Sequence, residues 1–433
     1  MTYKEAMAYL AEVGMHGSVL GLDAITELLS RIGSPENRLK FIHIGGTNGK
    51  GSTAAYLASI LTEAGYKVGR FISPVVEEYE ECIQISSRQY ENHTRCISKE
   101  SIASHLTRIQ EVCNEMKQEG LAHPTIFEVE TVMAMLEFVE KQCDIVILEV
   151  GLGGRLDATN VIQNVLCSVI ASISMDHMQY LGDTIEKIAS EKAGIIKDNT
   201  PVVSYPQVKE VREVLEGAAA KSNSPFYEVK KEQAVKICPT MKGSTFYLDS
   251  EEDEPYFIPL LGKHQVYNAL VAIKVCKVLN GRGYDINSEA IRLGLSKSSW
   301  FGRLSVVKEH PYVIVDGAHN PDAAEQLSAA VNTYFPGQKG IFVMGVFADK
   351  EYEKILEIMA PFAKTIITVT PDNPRALASS DLQQTAMKYC DEVIDGKTVK
   401  AGLTLAVSMA EKSDYILCFG SLSFLGEIHK LIN

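Results

Sequence analysis

The residues in this chain whose types and spacing best suit chemistry are Gly45-Gly46-Thr47-Asn48-Gly49-Lys50-Gly51-Ser52. Glycines permit a tight turn on which backbone N–H groups converge, and Lys50 adds a full positive charge. The apolar run Phe41 to Ile44 reads as a buried strand before the turn, and Thr53 to Thr62 reads as a helix after it. A strand, a glycine turn and a helix N-terminus make an anion site, for which a polyphosphate is the natural occupant. The usual phosphate loop has glycine five positions before its Gly-Lys pair and Ser or Thr directly after the lysine. Here Ile44 takes the first place and Gly51 separates Lys50 from Ser52.

Other residues stand at strand exits, where open α/β sheets bind ligands. Glu149 closes the apolar run from Asp144 and precedes Gly151-Leu152-Gly153-Gly154-Arg155-Leu156-Asp157. It either holds Mg²⁺ on nucleotide phosphates or caps the next turn. Asp176-His177 ends a second such segment. Asp316-Gly317-Ala318-His319-Asn320-Pro321 ends a third, with His319 as a general base or the whole turn as an Asx-turn and helix cap. Lys192, in Ser190-Glu191-Lys192-Ala193-Gly194, reads as part of a solvated Glu–Lys helix face.

The elements that must position these residues follow from hydrophobic periodicity. Residues 1–40 read as two amphipathic helices, with Leu20, Ile25, Leu28, Leu29 and Ile32 on the apolar side. Val68 to Ser73, Val165 to Ser172 and Pro201 to Ser204 read as further strands, residues 86–124 as polar and helical, and Phe127 to Gln142 as a long helix. Continuous apolar strands alternating with helices predict a doubly wound, mostly parallel α/β sheet of the phosphate-loop type. Residues 226–259 read as a small antiparallel flap, and Ser296-Lys297-Ser298-Ser299 as a linker. The expected domains are 1–297 and a smaller Rossmann-like α/β domain, 298–433. A strand exit in each domain suggests a reaction in the cleft between them, with closure excluding water.

Composition narrows the function. At 433 residues two domains are the default. The net charge of −13 argues against a nucleic-acid or anionic-membrane partner. Nine scattered cysteines, without a CxxC pair, suit reduced cytoplasmic thiols. No apolar run approaches a membrane span of about 18 residues. Small-molecule substrates and a monomeric chain are expected.

At this point the motifs match a family. Gly46-Thr47-Asn48-Gly49-Lys50-Gly51-Ser52 resembles the phosphate loop of the folylpolyglutamate synthase/dihydrofolate synthase family, within the Mur-ligase superfamily. Ser73-Pro74, Thr125-Ile126-Phe127-Glu128, Glu149 to Asn160, Asp176-His177, Glu191-Lys192-Ala193-Gly194, Gly262-Lys263-His264-Gln265 and Asn268-Ala269 follow in the family's order. So do Gly302-Arg303, Asp316 to Pro321 and Phe419-Gly420-Ser421-Leu422. The resemblance implies an ATP-dependent amide ligase that adds L-glutamate to a folate-type acid through an acyl phosphate. It implies that Asn48, Gly49, Lys50, Gly51 and Ser52 cradle ATP phosphates, with Asn268, Arg303 and Asp316 as further ATP contacts. Ser73, Glu149 and His177 look like Mg²⁺ ligands, and Lys192 like a lysine that becomes carbamylated and holds a second Mg²⁺. Lys50, Lys192, Asp316 and His319 are the implied catalytic groups, and His319 and Ser421 are similar to residues at the glutamate site. Thr125, Ile126, Phe127 and Glu128, with Arg155, Leu156, Asp157 and Ala158, fall where the family's pterin-bearing substrate lies. Two departures stand out. Ser73-Pro74 is followed by Val75-Val76 and the acidic Glu77-Glu78-Tyr79-Glu80-Glu81, where the family often has His-Leu, and Phe301 replaces the common proline before Gly302. The acidic stretch is therefore the expected locus of substrate preference.

Overall fold

Short apolar runs become strands because the sheet covers both of their faces. In the computed structural model, which describes residues 1–15 and 21–432 and only the backbone of 251–253, they assemble into three sheets. Leu20 lies outside the described residues.

The first sheet comprises β1 (Phe41–Gly45), β2 (Val68–Phe71), β3 (Ile83–Ser86), β4 (Thr94–Cys96), β5 (Ile145–Glu149), β6 (Val165–Ile170), β7 (Val202–Ser204) and β8 (Phe226–Glu228). Its order is β4-β3-β2-β5-β1-β6-β7-β8. Strands β2 to β8 in that order are parallel, while β3 and β4 run antiparallel at one edge. Every residue of β1, β5 and β6 is buried. The sheet is doubly wound, as expected, with two corrections. The segment after Ser86, read as polar and helical, holds β4 before its helix begins. The strand β8 joins the large sheet rather than the flap. The flap itself is β9 (Ala234–Thr240), β10 (Gly243–Leu248) and β11 (Glu251–Ile258).

The helices that bear on the site and its supports are α1 (Tyr3–Gly14), α2 (Asp23–Arg31), α3 (Lys50–Glu63), α4 (Lys99–Gln118), α5 (Ile126–Glu140), α6 (Met178–Leu181), α7 (Ile185–Ala193), α8 (Lys209–Lys221), α9 (Lys263–Asn280), α10 (Ser288–Lys297) and α11 (Pro321–Tyr334). Nearly all of α3 is buried, so its sequence carries no clean amphipathic stripe.

Contacts divide the chain into two units. The first is Met1–Val75, Tyr79–Gln233 and Tyr267–Lys297, and the second is Val76–Glu78, Ala234–Val266 and Ser298–Asn433. The antiparallel sheet, expected within the first domain, thus groups with the second. The reason is packing: Met241 lies against that unit's core, and Tyr334 Oη accepts a bond from Gly262 N at 2.9 Å. The second unit's main sheet comprises β12 (Ser305–Glu309), β13 (Tyr312–Val315), β14 (Gly340–Met344), β15 (Ala363–Thr370), β16 (Val393–Thr398) and β17 (Tyr415–Phe419). Its order is β12-β13-β17-β14-β15-β16, parallel except for β12.

The acidic stretch after Pro74 also takes on structural work. Within the second unit Glu77 pairs with His429, and Glu78 pairs with Lys430 at 2.7 Å. In the first, Glu80 lies 3.6 Å from Lys99.

Helix α3 is held in place by α10. Ser59 Oγ donates to Gly294 O at 2.6 Å, and a Cβ at Gly294 would sit 2.4 Å from Ile60 Cα. Only glycine allows that approach. Gly294→Ala is expected to cost about 1–3 kcal/mol of stability through overpacking. Urea unfolding with an unchanged m-value and a lower midpoint would show it; an unchanged midpoint would contradict the close approach.

Candidate active site

The register of β1 places its exit between two neighbours. Ile44 lies opposite Glu149 of β5, and Gly45 opposite Ile170 of β6. The turn after β1 is tied to the β6 side. Thr47 and Asn48 N–H donate to Ser172 O at 2.7 and 3.2 Å. Thr47 Oγ1 donates to Ser174 O and accepts from Ser174 N, both at 3.1 Å. Asn48 Nδ2 reaches Ser174 Oγ at 3.4 Å. Gln207 braces the same exit by donating to Ala171 O at 2.9 Å and accepting from Ile173 N at 3.2 Å. Sequence reasoning missed Gln207, since nothing in its surroundings marks it.

The helix begins at Lys50, three residues earlier than the sequence suggested, with Gly49 as its N-cap at φ 88°. Gly51 and Ser52 are therefore inside the first turn, where backbone N–H groups have no partner within the helix. Gly49 adopts a left-handed conformation with Asn268 directly behind it; a Cβ there would lie 2.7 Å from Asn268 Oδ1. Asn268, on α9, is buried.

Two ammonium groups converge on one carbonyl. Lys50 Nζ donates to Gly46 O and Thr47 O, each at 3.2 Å, and Lys192 Nζ donates to Gly46 O at 3.0 Å. Lys192 is only 5 % exposed, so the solvated helix face read from the sequence is wrong. The i, i+1 polarity of Glu191-Lys192 concealed that α7 presents its last turn to the phosphate loop. Burial, then the Lys50 charge, push the Lys192 ammonium down to about 7, against the pull of Asp176 and Asp157.

At the neighbouring strand exit, Glu149 is buried at the end of β5. Arg70 of β2 is buried too; burial lowers its pKa to about 10, and the Glu149 charge opposes that. Ser73 is half-buried just beyond β2. His177 starts α6 with φ 50°, its Nε2 3.9 Å from Asp176 Oδ1.

In the second unit Asp316 is buried beyond β13, accepting from Leu304 N and Ala318 N, each at 2.8 Å. Burial raises its pKa, and Arg303 opposes the rise. Asn320 caps α11 by accepting from Ala323 N at 2.9 Å. The Asx-turn and cap are thus real, and they hold His319 between them. Its Nδ1 lies 2.7 Å from Gly317 O, a group that only accepts, so Nδ1 carries the proton and Nε2 is the basic nitrogen. Ser421 accepts from Ser423 N at 3.2 Å as the cap of a short 3₁₀ turn.

Two family models match this chain. The Mur ligase middle domain matches residues 44–276, and the Mur ligase glutamate ligase domain matches 302–422. The Bacillus subtilis dihydrofolate synthase/folylpolyglutamate synthase is 34% identical over 99% of this chain and 98% of its own length. The Lacticaseibacillus casei folylpolyglutamate synthase is 32% identical, covering 87% of each chain. The chain belongs to the folylpolyglutamate synthase/dihydrofolate synthase family of Mur ligases. Among solved structures, Mycobacterium tuberculosis folylpolyglutamate synthase complexed with ADP and AMPPCP superposes with a TM-score of 0.89 at 28% identity, over 100% of this chain and 99% of the other. Escherichia coli FolC in complex with DHPP and ADP superposes with a TM-score of 0.84 at 27% identity, over 100% and 98%.

As a Mur-type ligase the enzyme is ATP-dependent, and its remaining expected site residues divide by burial. Thr125 and Glu128 form a capping box on α5: Glu128 accepts from Thr125 N at 2.6 Å, and Thr125 Oγ1 from Glu128 N at 3.3 Å. That Thr-x-x-Glu pattern was readable as a helix start. Ile126 is half-buried, and the Phe127 ring centroid lies 5.6 Å from that of Phe71. Arg155 and Leu156 are exposed, with Arg155 Nη2 donating to Ser190 O at 3.1 Å, whereas Asp157 and Ala158 are buried.

The depressed Lys192 pKa couples stability to pH. The unfolded chain keeps an ordinary lysine pKa of about 10.4. The folded chain at about 7 therefore binds fewer protons between those values. Stability rises with pH across that window, and the penalty is full and constant below about 7. Lys192→Met is expected to raise unfolding stability at pH 7, on the order of 2–4 kcal/mol, with the gain shrinking toward pH 10. Denaturant titrations at pH 7, 8.5 and 10 would test it; a loss of stability at pH 7 would contradict a strained ammonium.

Proposed function

We propose that this ligase joins L-glutamate to a pterin-bearing, folate-type acid, taking dihydropteroate, reduced folates or both. The observation that carries the reading is Lys192, buried against the Gly46 carbonyl beside Lys50. In the reaction a carboxylate oxygen of the acid attacks the γ-phosphorus of ATP and ADP departs. The glutamate nitrogen then attacks the acyl carbon of the acyl phosphate, the amide C–N bond forms, and phosphate leaves. Gly49 to Ser52 present N–H groups to the triphosphate, the Asn48 side chain completes the cradle, and Lys50 offsets its charge. Asn268, Arg303 and Asp316 contact ATP. Arg155, Leu156, Asp157 and Ala158, with Thr125 to Glu128, meet the pterin-bearing acid. His319 Nε2 takes a proton from the glutamate ammonium so that the amine can attack, and Ser421 helps hold the glutamate.

Ser73, Glu149 and His177 would hold Mg²⁺, with Lys192 as a further ligand once carbamylated. The set fits a hard cation, because Glu149 is a buried carboxylate in register with Ile44 where the phosphate loop begins. When bound, Mg²⁺ lowers the repulsion between the acid's carboxylate and the triphosphate. Carbamylation adds CO₂ to the neutral amine and releases a proton, which a buried amine with a depressed pKa favours. A cytoplasmic location belongs to the same reading, and the nine free thiols support it. Among the described residues no helix is long and apolar enough to cross a membrane.

Purified enzyme with ATP, Mg²⁺, L-glutamate and either dihydropteroate or tetrahydrofolate is expected to release phosphate. Silence with both acids would sink the proposal. Lys192→Ala is expected to reduce turnover by about a hundredfold or more while the protein stays folded by circular dichroism. Wild-type-like turnover would remove Lys192 from the site.

A further inference from the structure

Strand β1 carries one polar side chain amid apolar ones. His43 is completely buried at the middle of Phe41-Ile42-His43-Ile44, at the centre of the large sheet. Its Nε2 lies 2.8 Å from Thr159 Oγ1. The Thr159 hydroxyl donates to Asp157 Oδ1, and Thr159 N donates to the same oxygen at 3.0 Å. Asp157 Oδ2 accepts from Leu152 N at 2.8 Å. Because the Thr159 proton is committed to the carboxylate, His43 must donate through Nε2. Its Nδ1 is then an acceptor, and it is buried without a hydrogen-bond partner. Leaving such an atom unpaired costs stability, and leucine or isoleucine at this place would avoid the cost.

The chain His43, Thr159, Asp157, Leu152 runs from the sheet centre to the start of the loop that follows Glu149. The far side of that loop is tied to α7. Arg155 N donates to Glu191 O at 3.0 Å, and Asn160 Nδ2 donates to Arg155 O and Gly194 O at 3.0 and 3.1 Å. Lys197 Nζ donates to Asn160 O at 2.8 Å. The loop thus has one attachment to β1 and another to the helix bearing Lys192.

We infer that His43 and Thr159 form a buried positioning relay that fixes the loop 151–158 for the acid substrate, acting through Asp157 rather than touching the substrate. The inference rests on the folate-ligase reading for the identity of that acid, and on the hydrogen bonds alone for the relay. Neither residue takes part in a proton transfer. Their effect is a loop whose backbone is already ordered before the acid arrives, which lowers the entropic cost of binding. ATP, held by the turn at Gly46 to Ser52, should not sense it.

The test uses His43→Leu, Thr159→Val, the double variant and His43→Gln, whose amide can restore a donor. Two readouts are taken: steady-state KM for the acid and for ATP, and hydrogen–deuterium exchange of residues 151–160 without substrate. Each single variant is expected to raise the acid KM about tenfold and leave the ATP KM unchanged. The double variant should be no worse than either single, and His43→Gln should recover most of the loss. Exchange in the loop should rise equally in both singles and in the double. Unchanged exchange, faster exchange with an unchanged acid KM, or additive losses in the double would each overturn the relay. Should His43→Leu fail to fold, Thr159→Val carries the comparison, since it replaces a hydroxyl with a methyl. If the wild type uses neither folate acid, the functional reading fails, and exchange by itself then sustains or overturns the relay.

Discussion

The carbonyl of Gly46 accepts hydrogen bonds from two ammonium groups, and much of the first unit is arranged to make that tolerable. Lys50 is committed there by the helix turn after Gly49. Lys192 is committed by burial on α7, several strands away in sequence. Two like charges sharing one acceptor in a poorly solvated place repel each other, and the depressed Lys192 pKa reflects burial first and that repulsion second. An anion entering the turn would relieve it. Strain of this kind is normal where a site is preorganised for charge that arrives with the substrate.

The sheet makes this arrangement possible. Parallel strands buried on both faces bring their carboxyl ends to one edge, so β1, β5 and β6 deliver Gly45, Glu149 and Ile170 side by side. Each exit is then fixed by polar groups of its neighbour: Ser172 and Ser174 for the phosphate turn, Gln207 for β6, and the His43–Thr159–Asp157 chain for the loop after β5. Directional hydrogen bonds between buried groups favour one geometry, which an apolar core packs less specifically.

The second unit works by local means. Asp316 and Asn320 use their side chains on the backbone on either side of His319, so the histidine is oriented by its own turn. Of the two readings of this turn, the Asx-turn with a helix cap is observed, and it holds the histidine in place. The acidic residues after Pro74 carry a role their charges alone did not announce. Glu77 and Glu78 pair with His429 and Lys430, at the far end of the chain.

By itself the sequence determined what local chemistry determines. Glycine spacing and Lys50 specified a tight turn from a strand into a helix, apolar runs specified parallel strands, and the ordered motifs specified the family. These signals are legible because backbone conformation and hydrophobic period are properties of neighbouring residues. The helix start at Lys50, the short strand β4, the sheet that β8 joins and the allegiance of the antiparallel sheet were not legible, because each depends on what packs against it. Lys192 shows the limit most clearly. Its neighbours in sequence read as a wet helix face, and only the folded chain, by bringing the last turn of α7 against the Gly46 carbonyl, made it a buried amine. Burial and pKa are set by atoms distant in sequence, so tertiary structure alone could decide them.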